Sequence, residues 1–169
     1  MGLRDRCLLQ LLYWSGLRLG ELQALQVDDV DINRLEVTVK NAKGGKWRVV
    51  PCHPDLRLAL SLYMLARPAQ SPCLWLGNDG YGGVLGQLTV EGIRQMLKRR
   101  AAAAGLEYFN PHAYRHGFAI FMANDGDVPL ATVQEMMGHA DLATTRKTYA
   151  RTLTRTVRRH YDKALATLE

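Results

Sequence analysis

Arg18 lies in the run Ser15-Gly16-Leu17-Arg18-Leu19-Gly20-Glu21-Leu22, with a carboxylate three residues on. A guanidinium presents a planar fork that fits a carboxylate or a phosphate equally well, so the pair reads either as a structural ion pair or as a phosphate clamp steadied by Glu21. In His112-Ala113-Tyr114-Arg115-His116, helical spacing puts His112, Arg115 and His116 on one face. Two histidines four apart can chelate a metal; zinc wants a third or fourth ligand, and His139 in Gly138-His139-Ala140-Asp141 is the further candidate. The carboxylates that such sites usually place beside histidine are missing from this set. A His-Arg pair on one face suits a different task, which is to bind a phosphate while handling its proton. Tyr149, ten residues after His139, is either a core aromatic or a phenolic nucleophile. Lys43, in Lys43-Gly44-Gly45-Lys46, is by default a solvated turn residue.

The elements that must position these side chains follow from periodicity. Residues 4–14 carry Leu8, Leu11 and Leu12 at helical spacing, with Gly16 as a C-terminal cap. A short helix over Leu19–Leu25 follows. From Leu35 to Lys40 the period changes to two, with Leu35, Val37 and Val39 alternating with Glu36 and Thr38, and Trp47–Val50 is a second short strand stopped by Pro51. Together they predict a β-hairpin whose connection, residues 41–46, carries a basic tip, Lys43-Gly44-Gly45-Lys46. A helix runs from Pro54 to about Arg67 with Leu56, Leu60 and Met64 on one side. Residues 68–88, rich in Gly, Pro, Ser and Asn, are expected to form a long connection anchored by Trp75. Further helices are expected over Thr89–Ala104, Pro111–Ala123 and Pro129–Met137, with a turn at Asn124–Asp127. Asp141–Arg151 and Thr152–Leu168 also have helical, basic patterns. The expected fold class is α+β, mainly α, with a small antiparallel sheet in the first third, in one domain over residues 1–169.

The composition is that of a globular chain: 169 residues, 47% hydrophobic and 22% charged, which excludes disordered and collagen-like classes. No apolar run approaches the ~20 residues needed to cross a bilayer, and Arg4, Asp5 and Arg6 ahead of the first apolar segment do not fit a secretory leader. Cys7, Cys52 and Cys73 form no close pair and read as reduced thiols of a cytoplasmic protein. The net charge of +6 is unevenly placed. Between Arg94 and Lys163 there are 12 basic and 6 acidic residues, while the remaining 10 of each sign cancel. The excess sits in Lys98-Arg99-Arg100 and in Arg146 through Arg159, which fits a polyanionic partner or, more simply, a solvated helix face.

Taken in order, Gly-Leu-Arg-x-Gly-Glu-Leu, a basic hairpin, His-x-x-Arg-His, Gly-His-x-Asp-x-x-Thr-Thr and a tyrosine resemble the tyrosine recombinase family of phage integrases and Xer-like enzymes, from about Leu3 to Arg151. The resemblance implies site-specific recombination by DNA strand cleavage and rejoining, without metal, ATP or other cofactor. Tyr149 matches the nucleophile that forms a 3′-phosphotyrosyl link. Arg18 and Arg115 match the arginines on the non-bridging oxygens, His112 and His139 the two motif histidines, and Glu21 the acidic residue that orients the site. Lys43 matches the hairpin lysine that acts as general acid; it is preferred to Lys46 because it heads the pattern Lys-Gly-x-Lys-x-Arg ending at Arg48. The spacing of His139 and Tyr149 is one longer than is common in the family.

The further implications are double-stranded DNA as partner, with Lys46, Arg48, Lys98, Arg99, Arg100 and Arg146 along its backbone. They include a homotetramer on DNA, a monomer in isolation, and a bacterial or phage-encoded protein associated with the nucleoid when active. The segment 152–168 resembles the C-terminal helices that dock on a neighbouring protomer. An N-terminal core-binding domain, usual in the family, is expected to be absent. The alternatives in chemistry are a type IB topoisomerase-like DNA relaxation and a catalytically silent DNA-binding module.

Overall fold

In the computed structural model, which describes residues 1–40, 47–79, 83–107, 110–124 and 128–138, the leucine-rich N-terminal segment is α1 (Leu3–Ser15). Cys7, Leu8, Leu11 and Leu12 recur at helical spacing and are completely buried. The helix stops at Gly16, whose φ of 61° is the left-handed conformation that a residue without Cβ adopts at least cost. α2 (Leu19–Ala24) follows directly, entered through Arg18 in an extended conformation. A 3-10 turn at Val27–Asp29 then leads into β1 (Val30–Asp31), β2 (Glu36–Lys40) and β3 (Trp47–Pro51).

These strands form an antiparallel sheet in the order β1-β2-β3. The register pairs Val37 with Val50, Val39 with Arg48, and Lys40 with Trp47. Period-two alternation sends Val37, Val39 and Val50 into the core. The strands on either side of the expected basic hairpin are thus in place, while its connection, residues 41–46, lies outside the described residues. Between β1 and β2 the Asp31 carboxylate accepts the backbone N–H groups of Asn33 and Arg34, both at 2.9 Å. That turn sets Leu35 at φ 56°, a strained value for a branched side chain, which its burial and the pairing of its carbonyl with Cys52 N–H hold in place.

α3 (Leu56–Ala66) packs on α1 through Leu56, Ala59, Leu60 and Tyr63, with Met64 half-buried at the edge. Residues 68–88 contain more than the expected irregular connection. β4 (Leu76–Asn78) and β5 (Val84–Gln87) pair antiparallel within it. Their alternation is hidden because Gly77 and Gly86 interrupt the strands and every residue of β5 is exposed. Trp75 is the anchor: it is fully buried, stacks on Tyr63 with ring centroids 5.4 Å apart, and donates its indole N–H to the Leu22 carbonyl at 2.7 Å. The Gln23 amide adds a bond to the Leu88 carbonyl, and the Gln87 amide one to the Gln23 carbonyl. The short helix α2 is thereby fastened from its C-terminal side.

α4 (Val90–Ala103) starts at Thr89, whose hydroxyl accepts the Gly92 N–H at 3.0 Å. It buries Ile93, Met96, Leu97 and Ala101. Its other fixing point is electrostatic. The Asp5 carboxylate, 6% exposed, takes two hydrogen bonds from Arg4 and two from Arg100, the shortest from Arg100 Nη2 at 2.6 Å. Burial raises the Asp5 pKa, but the Arg100 and Arg4 guanidiniums outweigh it and hold the carboxyl below its ordinary value. Arg4 also donates to the Leu76 carbonyl at 2.8 Å, so a single buried carboxylate ties α1, α4 and β4 together.

The chain divides into two compact units, Met1–Arg115 and His116–Glu169. α5 (Pro111–Asn124) begins in the first and runs into the second. In the second unit Phe118, Ala119 and Ala123 of α5 pack with Val133 and Met137 of α6 (Leu130–Met137), which Gly138 closes at φ 62°. Among the described residues no helix is long and apolar enough to cross a membrane.

Replacing Trp75 with Phe keeps most of the apolar volume but removes the donor that reaches Leu22. The expected result is a loss of about 1–2 kcal/mol in urea unfolding, since the buried carbonyl loses its best partner.

Candidate active site

Three guanidiniums converge on the carboxylate of Glu21. Arg18 donates Nη1 to Oε1 at 2.9 Å and its backbone N–H to Oε2 at 2.9 Å. Arg48 approaches as a fork, Nη1 to Oε1 at 3.1 Å and Nη2 to Oε2 at 2.8 Å. Arg115 Nη1 stands 4.0 Å from Oε2 and donates a short hydrogen bond to the Gly16 carbonyl. The local sequence explains the meeting. Arg18 and Glu21 are the first residue before α2 and its third position, so the side chain of Glu21 folds back on the N–H of Arg18 as one half of a capping box. Arg48 lies two residues before buried Val50 and therefore points to the inner face of the sheet. Arg115 sits in the first turns of α5, and the left-handed turn at Gly16 presents the α1 terminal carbonyl to it.

Exposure separates the three. The side chains of Arg48 and Arg115 are 12% and 7% exposed and that of Glu21 is 14%, whereas Arg18 is 42% exposed. Burial pushes the Glu21 carboxyl up, but the hydrogen bonds from Arg48 and from Arg18, backbone and side chain, win and hold it below its ordinary value. Among the described residues, one anionic and three cationic groups give the cluster an excess of two positive charges. Beside it opens a cavity of about 600 Å³, lined by the cations Arg18, Arg94, Lys98 and Arg115, by His112 and by the carboxylates Glu91 and Glu107, over an apolar floor that includes Leu17 and Leu97. His112 is exposed, and its backbone N–H is capped by the Asn110 carboxamide oxygen at 2.9 Å. A pocket with an excess of fixed guanidinium charge and a neighbouring imidazole can bind a phosphate through its non-bridging oxygens and exchange protons beside it.

Of the residues singled out from the sequence, Arg18, Glu21, Arg48 and Arg115 are brought into one cluster, with His112 on the wall of the adjoining cavity. Lys98 and Arg99 are exposed on α4, but Arg100 is turned inward onto Asp5. The three adjacent cations are thus two exposed charges and one internal tie. Arg48, expected along a DNA backbone, forms a two-bond fork with Glu21 in this structure. Lys43, Lys46, His139, Arg146 and Tyr149, and the helical patterns over 141–151 and 152–168, lie outside the described residues. Sequence reading missed the Gly16 carbonyl as a partner of Arg115 and Asp5 as the partner of Arg100. For Arg48 a signal was available, since period two from Val50 places its guanidinium on the buried face, where an arginine needs a carboxylate.

The fold is that of a tyrosine recombinase catalytic domain. A XerA recombinase crystal structure superposes with a TM-score of 0.78 at 26% identity, over 96% of this chain and 58% of that one. A XerH site-specific recombinase bound to palindromic difH substrate shares the fold with a TM-score of 0.72 at 24% identity, over 99% and 46%. The model of the phage integrase family matches residues 1–155, and the chain belongs to that family. The tyrosine recombinase XerD of Caulobacter vibrioides is 38% identical over 152 residues, 86% of this chain and 48% of the relative. The tyrosine recombinase XerA of Pyrococcus horikoshii is 34% identical over 162 residues, 96% of this chain and 55% of the relative. The chain spans about half the length of these curated relatives.

The lowered Glu21 pKa has a pH consequence. Its stabilising contribution is complete above the unfolded value, near 4.5, and is lost as pH falls through the lower folded value. Glu21→Gln is therefore expected to lower stability at pH 7 by about 1–3 kcal/mol. The gap between variant and wild type should narrow below about pH 4 in urea titrations; a gap independent of pH would contradict the ion cluster.

Proposed function

We propose that the chain cleaves and rejoins DNA strands in site-specific recombination, with Tyr149 attacking a phosphodiester to form a 3′-phosphotyrosyl link and free a 5′-hydroxyl. The observation that carries this reading is the placement of Arg18 and Arg115 on one shared carboxylate, at the edge of a cavity that also carries His112. In the proposed step Arg18 and Arg115 neutralise the non-bridging oxygens, where charge accumulates in the pentavalent transition state. His112 and His139 contact the phosphate and handle protons, and Lys43 protonates the leaving 5′ oxygen. Glu21 keeps the arginines in register. A phenol of pKa about 10 needs such a cationic pocket to act as nucleophile at neutral pH. Several fixed cations around one phosphate supply the charge neutralisation that other phosphoryl-transfer enzymes draw from metal ions, so the reaction is proposed to need neither metal nor ATP. The phosphotyrosine conserves the bond energy for attack by a second strand's 5′-hydroxyl.

Duplex DNA is the proposed partner, and a homotetramer on DNA the proposed assembly. The identity to Xer recombinases over most of the chain supports the duplex as partner, as does the XerH relative's structure on its difH substrate. The exposed Lys98 and Arg99 on α4, beside the cavity, suit backbone phosphates.

A nicked suicide duplex carrying the cognate site, incubated with EDTA, is expected to trap a covalent protein–DNA adduct that survives denaturation and disappears in Tyr149→Phe. Persistence of the adduct in that variant would remove Tyr149 from the role, and loss of activity with chelator alone would favour a metal mechanism. Lys43→Ala is expected to slow cleavage of an ordinary substrate while sparing one with a 5′-thio leaving group, because a thiolate leaves without a proton. Equal slowing of both would argue against a general acid at Lys43.

A further inference from the structure

We infer that Arg48 is a positioning residue for strand cleavage rather than a phosphate ligand: it fastens the β2–β3 hairpin to Glu21, and through that carboxylate to Arg18 and Arg115. The inference rests on the proposed recombination chemistry for its consequence, and on geometry for its substance. Both oxygens of Glu21 are met by the Arg48 fork, at 3.1 and 2.8 Å, so the guanidinium plane and the carboxylate plane are held by two bonds rather than by one rotatable contact. The Arg48 side chain is 12% exposed, far less than the 42% of Arg18, which leaves Arg18 as the more accessible cation. Arg48 is paired in register with Val39, next to the Lys40–Trp47 pair that closes the described part of the hairpin. Lys43 lies in the connection between those two residues. The hairpin that carries the proposed general acid is therefore tied, through Arg48 and Glu21, to the arginines proposed to hold the phosphate.

Charge gives the same assignment. Glu21 is needed to orient Arg18, but a bare carboxylate beside a phosphate repels it. Among the described residues, the Arg48 charge offsets that of Glu21. Lysine at this position would supply the charge without the fork.

The test compares Arg48→Lys, Glu21→Gln and the double variant with wild type in the full chain. For Arg48→Lys, single-turnover adduct formation on the suicide duplex is expected to slow by about 10- to 100-fold, the usual scale for loss of a side chain that aligns others. Affinity for that duplex should stay within about twofold, with an unchanged salt slope. If Arg48 instead holds a phosphate, affinity falls and the slope drops by about one contact, and the inference is overturned. The double variant should be no slower than the slower single variant, because both act through one bridge; multiplicative losses would also overturn it. Should wild type form no adduct, the recombination reading fails, and amide exchange still decides the positioning. Exchange at Lys40 and Trp47 is expected to quicken about tenfold in each single variant and no further in the double, with α3 unchanged. Exchange that ignores both substitutions would sink the inference.

Discussion

The arrangement depends on one carboxylate shared by three guanidiniums. Alone, Arg18, Arg48 and Arg115 would repel one another in a half-buried space. At an effective dielectric of about 20, like charges ~7 Å apart cost about 2 kcal/mol per pair. Glu21 turns that repulsion into a stable cluster because it offers two oxygens with several acceptor directions, and Arg48 and Arg18 use both. The cluster also spans the chain: Arg18 and Glu21 come from the start of α2, Arg48 from β3 and Arg115 from α5. A shift in any of these elements is therefore felt at the same carboxylate.

This explains why so much of the scaffold is devoted to a helix of six residues. A helix that short has no stability of its own. α2 is held by the Trp75 indole on its Leu22 carbonyl, by the Gln23 amide on the Leu88 carbonyl and the Gln87 amide on the Gln23 carbonyl, and by Leu22 itself, which is completely buried. The irregular-looking segment before α4 thus has a definite mechanical part: it carries Trp75 and Gln87 to the end of α2 opposite Glu21. The Asp5 cluster repeats the device on a smaller scale. There one buried carboxylate takes two guanidiniums and fixes α4, which lines the cavity with Arg94 and Lys98.

Helices with strong apolar periods were readable from sequence, and so were the strand pair β2–β3 and the pairing of Arg18 with Glu21, because each depends on nearby residues. Trp75 was readable as an anchor from its size and apolarity within a polar, Gly- and Pro-rich segment, although its partner Leu22 lies 53 positions away. β4 and β5 were not, since their glycines and exposed side chains erase the alternation that marks a half-buried strand. Partners distant in sequence were hidden for a different reason. Arg100 and Asp5 are 95 positions apart, and Arg115 and the Gly16 carbonyl 99. A cationic run such as Lys98-Arg99-Arg100 looks uniform until tertiary packing turns one member inward. Arg48 is the intermediate case. Its strand parity marks it as inward-facing, and an inward arginine demands an anion, yet nothing local names Glu21 as that anion.

Composition and site geometry also act on different scales. The chain's excess of +6 lies between Arg94 and Lys163, whereas Arg18, Glu21 and Arg48 come from the portion whose charges cancel. An exposed surplus such as Lys98 and Arg99 draws a polyanion over about a Debye length, some 10 Å at 0.1 M salt, and weakens as salt is added. Among the described residues the Glu21 cluster carries a surplus of two charges; it is mostly sheltered, so that surplus is screened less and is fixed in direction. The first suits any polyanion without discriminating among its charges; the second suits one phosphate in one orientation. A count of charges along the chain detects only the former. The latter exists because a carboxylate, which lowers the net charge, is what allows three arginines to stand together at all.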